Sequence, residues 1–418
     1  MMKSFIRRRV VTTAYSVSFI FVLASGSTVF AQSGATRPRR TAPTPPASTT
    51  PSSAREGGEN TPSTNTTSRA RANAQPAPRA GGATADTSRA YSLLQQKLYD
   101  QALKEARQVT ASDPKNSEAW KIAGFAEVNL KQYAEAATDL QRALDLQRAA
   151  GEEDAPTLDA LAQAYVRTEK FEQALPLLVT ATTRKGAQPD AVTLYYRGLA
   201  EYRTNKKTDA ERSFNAAIKA DPKNSASLFY LGRMAFEKND NDAAISALNR
   251  ATVGDPRLAE AWTLLTYAYL RRADAAAGAK ADADYQSAVR SSEGLLRVRS
   301  DEAATSLHAQ ALIRAKQYVR AAAALERIST GADTKGETLY LLGFAHSRAK
   351  NFPKAITALE RAATKTPADV NIYRELGYVY ESSKQYAKAL TAYEKGLELA
   401  PADADFKEAA ERVRPFAK

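Results

Sequence analysis

One alanine recurs at a nearly constant interval along most of this chain of 418 residues. Its nine positions are Ala102, Ala136, Ala174, Ala210, Ala244, Ala288, Ala321, Ala355 and Ala389. Five of the eight intervals between them are 33 or 34 residues, and the longest is 44. A chain with such a period folds as a row of similar units, each leaning on its neighbours, rather than around one central core.

Each unit has the pattern of two amphipathic helices. In residues 370–401, Tyr373, Leu376 and Tyr380 recur at steps of three and four, so they share one helical face. A polar break follows at residues 381–385, and a second apolar face begins at Ala389. Neither helix can bury its apolar face alone, so the pattern predicts an antiparallel helix pair.

Three further positions keep the same register. Twelve residues before the alanine stands a small residue in eight units: Ala90, Gly124, Ala162, Gly198, Gly232, Ala309, Gly343 and Gly377. In the sixth unit Thr266 takes this place once the insertion described below is removed. Three residues before it stands an aromatic residue in seven units: Tyr99, Tyr133, Phe171, Tyr285, Tyr318, Phe352 and Tyr386. Twelve residues after it stands proline in five: Pro114, Pro222, Pro256, Pro367 and Pro401. The small pair predicts the closest approach of the two helices, and the proline predicts the end of the second.

This pattern resembles the tetratricopeptide repeat, a helix–turn–helix unit of 34 residues. Trp120 and Trp262 stand at the tryptophan position of that family, and the Leu-Gly step recurs at residues 231–232, 342–343 and 376–377. The resemblance covers residues 84–403. It implies an all-α, right-handed α-solenoid of about nine units, and residues 404–418 are predicted to contain a charged capping helix.

The register is interrupted at three places. Residues 147–154 add four residues between the second and third units, residues 184–189 add two after the third, and residues 271–284 add about ten within the sixth. The last insertion either extends both helices or forms a loop. It is either a neutral length variant or the site of a partner contact.

The N-terminus predicts export. Lys3 and three arginines precede an apolar stretch over residues 10–31, which ends with small residues suited to cleavage, so residues 1–31 are predicted to be a signal peptide. The alternative is an uncleaved membrane anchor. Residues 32–83 contain no Phe, Leu, Ile, Val, Trp or Tyr and are predicted to be a disordered linker. The expected location is the periplasm or the extracellular space.

The net charge of +13 is unevenly distributed. The signal carries +4 and the linker +5, which leaves +4 for residues 84–418. The repeats are therefore nearly balanced and are not expected to bind nucleic acid. The linker is expected to associate only weakly with membrane or cell-wall polymer.

The sequence offers no set of residues typical of an enzyme. It has no cysteine and two histidines, His308 and His346, which are expected to be core residues. The glycine spacing at residues 331–336 is that of a phosphate loop, but Glu337 stands where lysine is needed. We therefore expect no catalytic residue, no metal site and no cofactor.

The resemblance implies instead a concave groove lined by the first helix of each unit. The residues nominated for it are Lys121, Phe125, Tyr195, Leu199, Tyr202, Arg203, Phe229, Arg233, Phe236, Tyr267, Arg271, Tyr340, Phe344, Arg374 and Tyr378. Aromatic and arginine side chains suit an extended peptide. The alternative for several of these aromatics is packing between repeats. Lys121 lacks the matched partners of the family's two-carboxylate clamp, so an acidic C-terminal peptide is not specifically expected.

The function predicted from these features is a non-catalytic scaffold of the cell envelope that binds a protein or extended peptide in its groove. The alternative is a structural envelope component that associates with peptidoglycan or membrane through its cationic linker. The sequence leaves the oligomeric state open.

Overall fold

The computed structural model describes residues 86–417, and the predicted signal peptide and linker lie outside these residues. Within them the chain forms nineteen α-helices and a final 3₁₀ turn, Arg414–Phe416, with no strand. The helices are α1 Ser88–Gln95, α2 Tyr99–Ser112, α3 Ser117–Leu130, α4 Tyr133–Ala150, α5 Ala155–Arg167, α6 Phe171–Thr183, α7 Ala191–Arg203, α8 Lys207–Ala220, α9 Ser225–Glu237, α10 Asn241–Gly254, α11 Ala259–Asp274, α12 Gly278–Val298, α13 Glu302–Arg314, α14 Tyr318–Glu326, α15 Gly336–Arg348, α16 Phe352–Lys365, α17 Val370–Ser382, α18 Tyr386–Leu399 and α19 Ala404–Val413. The first eighteen pair into nine hairpins, and α19 follows the last.

The hairpins pack in chain order. Each helix contacts the next helix of the chain, and the odd-numbered helices α1 to α17 also contact one another from one hairpin to the next. We call the face formed by these odd-numbered helices the first-helix face. Because contacts stay between neighbours, the described residues form a repeat solenoid, as the sequence predicted.

The small residues of the repeat let the two helices of a hairpin approach closely. All nine register alanines are 0% exposed. A Cβ atom added at Gly198 would lie 2.7 Å from the Phe214 ring, and one at Gly232 would lie 2.6 Å from Leu248 Cγ. The side chain that packs against the glycine therefore belongs to the residue one helical turn after the recurring alanine of the second helix. Sequence reasoning predicted the close approach but missed this larger residue.

The turn inside each hairpin has a left-handed residue. The seventh residue after the small position has a φ of 57° to 64° in eight hairpins: Lys97, Lys131, Glu169, Asn205, Asn239, Lys316, Lys350 and Lys384. This conformation ends the first helix and lets the second begin two residues later.

The linkers between hairpins carry the helix caps. The side chains of Asn116, Asp190 and Asp301 accept hydrogen bonds from backbone N–H groups of the helices that follow them. The Nε1 atoms of Trp120 and Trp262 each donate to a proline carbonyl six residues earlier, at 3.0 and 2.9 Å. Each of these two tryptophans therefore ties its own first helix, α3 or α11, to the linker before it.

The long insertion in the sixth hairpin extends both of its helices. Helix α11 runs to Asp274, and only three residues separate it from the start of α12 at Gly278. Arg272 holds the two extensions together through Asp284 at 2.6 Å and reaches Asp242 at 2.5 Å. The loop alternative is therefore wrong for most of residues 271–284.

Helix α19 covers the end of the last hairpin. Phe406 is 1% exposed and packs against Gly396 and the Tyr393 ring, with ring centroids 6.4 Å apart. No helix within residues 86–417 is both long enough and apolar enough to cross a bilayer.

Candidate binding face

Four residues nominated for the groove are buried. Tyr195, Leu199, Phe229 and Phe236 are between 3% and 9% exposed. The Tyr195 ring lies 6.2 Å from both the Phe214 ring of its own hairpin and the Tyr230 ring of the next one. These side chains hold neighbouring hairpins together, so they do not present a surface to a ligand. Packing between repeats was the alternative that the sequence left open.

Two nominated cations are already paired within the chain. Lys121 Nζ lies 2.6 Å from Glu118 and 3.0 Å from Asp154. Arg374 lies 2.6 Å from Asp403 and stacks 4.5 Å above the Phe406 ring. Lys121 ties its hairpin to the next linker, and Arg374 docks the capping helix.

The middle hairpins carry a second group of nominated residues. Arg271 stacks on Phe236 at 3.6 Å and donates to the backbone oxygen of that residue at 3.0 Å. The Arg233 guanidinium lies 5.6 Å from the Tyr202 ring, whose hydroxyl donates to Glu237 at 2.5 Å. The remaining members are Arg203, which is exposed and lies 5.3 Å from the Phe171 ring, and the half-buried Phe125 and Tyr267.

The last two hairpins bring the exposed aromatic residues together. Tyr378 is 45% exposed, while Phe344 and Tyr340 are half-buried with ring centroids 6.2 Å apart. Arg348 lies between two of these rings, 4.4 Å from Phe344 and 5.0 Å from Tyr378. We call Tyr340, Phe344, Arg348 and Tyr378 the aromatic platform.

A buried carboxylate, Glu375, holds the Arg348 guanidinium in position. Its two terminal nitrogens donate to the two carboxylate oxygens of buried Glu375, at 2.9 and 3.0 Å. Burial raises the pKa of Glu375, and the adjacent guanidinium opposes that rise. Sequence reasoning missed Arg348, although it stands five residues after Gly343, the offset that nominated Arg203 and Arg271.

A cleft opens beside the platform, between α17, α18 and the C-terminal segment. Its volume is about 510 Å³, and its lining is Tyr378, Glu381, Ser382, Tyr386, Arg412, Val413 and Phe416. Phe416 is 63% exposed and lies 5.3 Å from the Tyr386 ring. The hydrogen bonds from Arg412, at 2.9 and 3.0 Å, hold the pKa of Glu381 below its usual value. Sequence reasoning missed this cleft because it depends on where α19 docks.

Both histidines are buried, as the sequence predicted. His308 Nδ1 lies 2.9 Å from Ser292 Oγ of the preceding hairpin, and His346 Nε2 lies 3.3 Å from Glu326. Burial lowers the pKa of both imidazoles. Each histidine therefore fills a contact between helices.

Family comparisons agree with this architecture. The profile described as "Tetratricopeptide repeat" matches residues 87–153, 195–259 and 340–404. A second profile, "Anaphase-promoting complex, cyclosome, subunit 3", matches residues 281–362. Among curated proteins, none is significantly similar to this chain.

Solved structures give distant likenesses. YrrB, described as a tetratricopeptide-repeat protein with an unusual peptide-binding site, is 16% identical over 48% of this chain and 99% of its own, with a TM-score of 0.40. A tetratricopeptide-repeat protein from Parabacteroides merdae is 16% identical over 62% and 98%, with a TM-score of 0.38. MamA from Desulfovibrio magneticus is 20% identical over 43% and 97%, with a TM-score of 0.38.

The hairpin stack and the family profiles together define the class of fold as an all-α solenoid of tetratricopeptide repeats. Folds of this class generally mediate protein or peptide interactions and are typically non-catalytic.

Proposed function

We propose that this chain is a non-catalytic scaffold, exported to the cell envelope, that binds an extended segment of a partner protein on the first-helix face of its last two hairpins. The export part of the proposal rests on the sequence of residues 1–31. The observation that carries the binding part is the exposure of Tyr378 between the stacked Arg348 and the cleft.

The chemistry of the site favours a neutral or apolar peptide. Arg348, Arg374 and Arg412 are each neutralised by a carboxylate of the chain itself. What remains for a ligand is ring surface, which supplies apolar contact area at low conformational cost. A peptide crossing Phe344 and Tyr378 would place its next side chain in the cleft.

The test compares two tyrosines of similar exposure on first helices. Tyr378 is 45% exposed in the ninth hairpin, and Tyr91 is 48% exposed in the first. A photo-cross-linking residue at each position in turn, used in the native envelope, identifies the partner from the adduct found at 378 and not at 91. Tyr378→Ala should then weaken binding of that purified partner by about 10- to 100-fold, the range of an interface hot spot, and Tyr91→Ala should leave it unchanged. Equal effects of the two substitutions would refute the proposed site.

Deletion of residues 32–83 distinguishes this proposal from the alternative, a structural envelope component that associates with peptidoglycan or membrane. Under our proposal the deletion leaves partner binding by the repeats intact. If the deletion removes association with peptidoglycan or membrane while no protein partner is lost in either variant, the alternative holds instead.

A further inference from the structure

The two edges of the hairpin stack carry opposite charge. We call the turns within the hairpins, apart from the uncharged turn of the sixth, the hairpin-turn edge: residues 96–99, 130–133, 168–171, 204–207, 238–241, 315–318, 349–352 and 383–386. They hold nine lysines, no arginine and two acidic residues, a net charge of +7. We call the connections between hairpins the linker edge: residues 113–116, 151–154, 184–190, 221–224, 255–258, 299–301, 327–335, 366–369 and 400–403. These hold eight basic and eleven acidic residues, a net charge of −3.

The fold explains the charge of the linker edge. Several of its aspartates cap the helix that follows, for instance Asp154, Asp190 and Asp403, whose side chains accept backbone N–H hydrogen bonds. A carboxylate at a helix N-terminus stabilises the helix both as a cap and through the helix dipole.

Five of the nine lysines of the hairpin-turn edge have no such role, whereas two others, Lys207 and Lys238, pair with Glu237 and Glu211. Lys97, Lys131, Lys316, Lys350 and Lys384 are all exposed, and none forms an ion pair with a carboxylate among the residues that the structure describes. Each lies where one helix ends and the next begins within a few residues. The favourable effect of its charge on the first helix dipole is therefore opposed by its effect on the second.

These same five lysines occupy the left-handed positions of their turns. Glycine is the residue that adopts this conformation most readily, and asparagine is next. The chain uses both elsewhere: Asn205 and Asn239 hold the same turn position in the fourth and fifth hairpins, and Gly151 has a φ of 73°. Five of these turns thus carry a charged lysine at a position where the backbone conformation favours glycine or asparagine.

We propose that the hairpin-turn edge of the solenoid docks on the surface of a bilayer containing anionic phospholipid. Its positive charge is complementary to lipid phosphates. An anionic bilayer surface attracts nearby lysine ammonium groups without requiring a specific geometry. Four of these turns also contain a half-buried tyrosine two residues after the lysine: Tyr99, Tyr133, Tyr318 and Tyr386. Tyrosine is favoured at the level of lipid headgroups.

Two features favour a bilayer over nucleic acid. Recognition of nucleic-acid phosphates relies heavily on the planar guanidinium of arginine, and this edge contains only lysine. The chain also has, upstream of α1, the 22-residue stretch 10–31, which is predicted to engage a membrane during export or as an anchor. If residues 32–83 form the predicted linker, their length is enough to let the repeats reach that surface. This inference does not depend on the partner-binding site proposed above.

The test uses the full chain and two matched triple variants. The turn variant is Lys316→Asn, Lys350→Asn, Lys384→Asn, which places in three adjacent turns the residue that Asn205 and Asn239 already show to fit. The linker-edge control is Lys115→Asn, Lys185→Asn, Lys223→Asn, three exposed lysines whose removal changes the net charge equally. Binding is measured by co-sedimentation with vesicles of phosphatidylcholine and phosphatidylglycerol at about 3:1 and with vesicles of phosphatidylcholine alone. All proteins keep residues 32–83, so any contribution of the linker is common to them.

We expect the turn variant to lose about 100-fold in partitioning to the anionic vesicles, at about fivefold per lysine. The linker-edge control should change little. The corresponding triple Lys→Arg variant should bind as the wild type does. Raising salt from about 0.1 M to about 0.5 M should remove the difference between the proteins, because the Debye length falls from about 10 Å to about 4 Å.

Two results would overturn the inference. Equal losses in the turn and linker-edge variants would mean that net charge alone governs binding. An unchanged affinity of the turn variant for vesicles, with a loss of affinity for a DNA duplex instead, would assign the edge to nucleic acid. Circular dichroism of each variant shows whether it is folded, and the Lys→Arg variant provides a charged comparison if the asparagine variant is not.

Discussion

Glu127 is a side chain whose protonation this fold controls. It is 1% exposed and shares one guanidinium with Asp139: Arg107 lies 2.7 Å from Glu127 and 2.8 Å from Asp139. One cation cannot neutralise two buried carboxylates. Burial first, and the neighbouring Asp139 charge second, raise the pKa of Glu127 to about 7. Helices α3 and α4 therefore take up a proton when they pack at a pH between about 4.5 and 7.

The sign of the pH effect follows from the direction of this shift. The pKa of Glu127 in the folded chain lies above its ordinary value of 4.5, so the folded state holds the proton between the two values while the unfolded state releases it. The free energy of unfolding should thus fall as pH rises from about 4.5 to about 7, by roughly 2 to 3 kcal/mol.

Glu127→Gln should abolish that loss. The amide keeps the shape of the protonated carboxyl and can still accept from Arg107 and donate to Asp139. The measurement is urea unfolding of the full chain, followed by hydrogen exchange in α3 and α4. The free energy of unfolding of the variant should exceed that of the wild type by roughly 2 to 3 kcal/mol at pH 8, and the difference should shrink towards pH 4. Glu135→Gln, an exposed change on α4, is the control and should show no such pH dependence. A gain of the same size at both pH values would contradict the mechanism.

At the scale of helices, the sequence predicted the hairpins because their closure depends on residue size. An alanine that is 0% exposed at the same place in nine units leaves few alternatives for the pairing of two helices. The larger residue that fills each glycine's place was not predicted, since it stands at a position occupied by Leu, Phe, Tyr, Ala or Ser in different units. Leu359 fills this place beside Gly343, where an added Cβ would lie 2.5 Å from its Cγ.

Gly343→Ala should therefore destabilise the eighth hairpin by about 1 to 3 kcal/mol, the usual cost of overpacking a core. A movement of Leu359 alone would not remove the crowding, because the Ala355 carbonyl oxygen would also lie 3.3 Å from the new Cβ. Gly331→Ala is the matched control, since the nearest atom to its added Cβ is 3.9 Å away. The measurement is hydrogen exchange across α15 and α16. Similar protection in the two variants would show that close packing at Gly343 does not hold the hairpin closed.

Which aromatic residues of the candidate site are exposed could not be predicted from their positions alone. Tyr195 and Tyr340 both stand three residues before the small residue of their hairpins, yet Tyr195 is buried and Tyr340 is half-buried. The difference lies in the next hairpin, which offers the Tyr230 ring to Tyr195 but has Glu375 at the equivalent position. Exposure is thus a property of residue pairs from two units, whereas the repeat pattern describes one unit at a time.

At the scale of the whole repeat region, the same limit applies to charge. A net charge of +4 for residues 84–418 is correct as a sum, and it hides an edge of +7 and an edge of −3. Only the hairpin geometry assigns each lysine to a turn or to a linker. The linear architecture itself was predictable, because a fixed period predicts a row of units in which each contacts only its neighbours.

That architecture predicts how the chain unfolds when a central unit is weakened. Leu248 of the fifth hairpin is 0% exposed and fills the place beside Gly232. Leu248→Ala should remove about 2 to 5 kcal/mol from that hairpin. Because stability in a stack is a sum of units and nearest-neighbour interfaces, the two sides should then unfold at different denaturant concentrations.

The measurement is hydrogen exchange read by mass spectrometry across a urea series, comparing α3 and α4 with α17 and α18. The midpoints of these two regions should move apart in Leu248→Ala. Val253→Ala, on the same helix but with its side chain 82% exposed, should leave their separation within error of the wild type. If both regions of Leu248→Ala still unfold at one midpoint, the hairpins form a single cooperative unit, and coupling must extend beyond the neighbouring contacts that the structure describes.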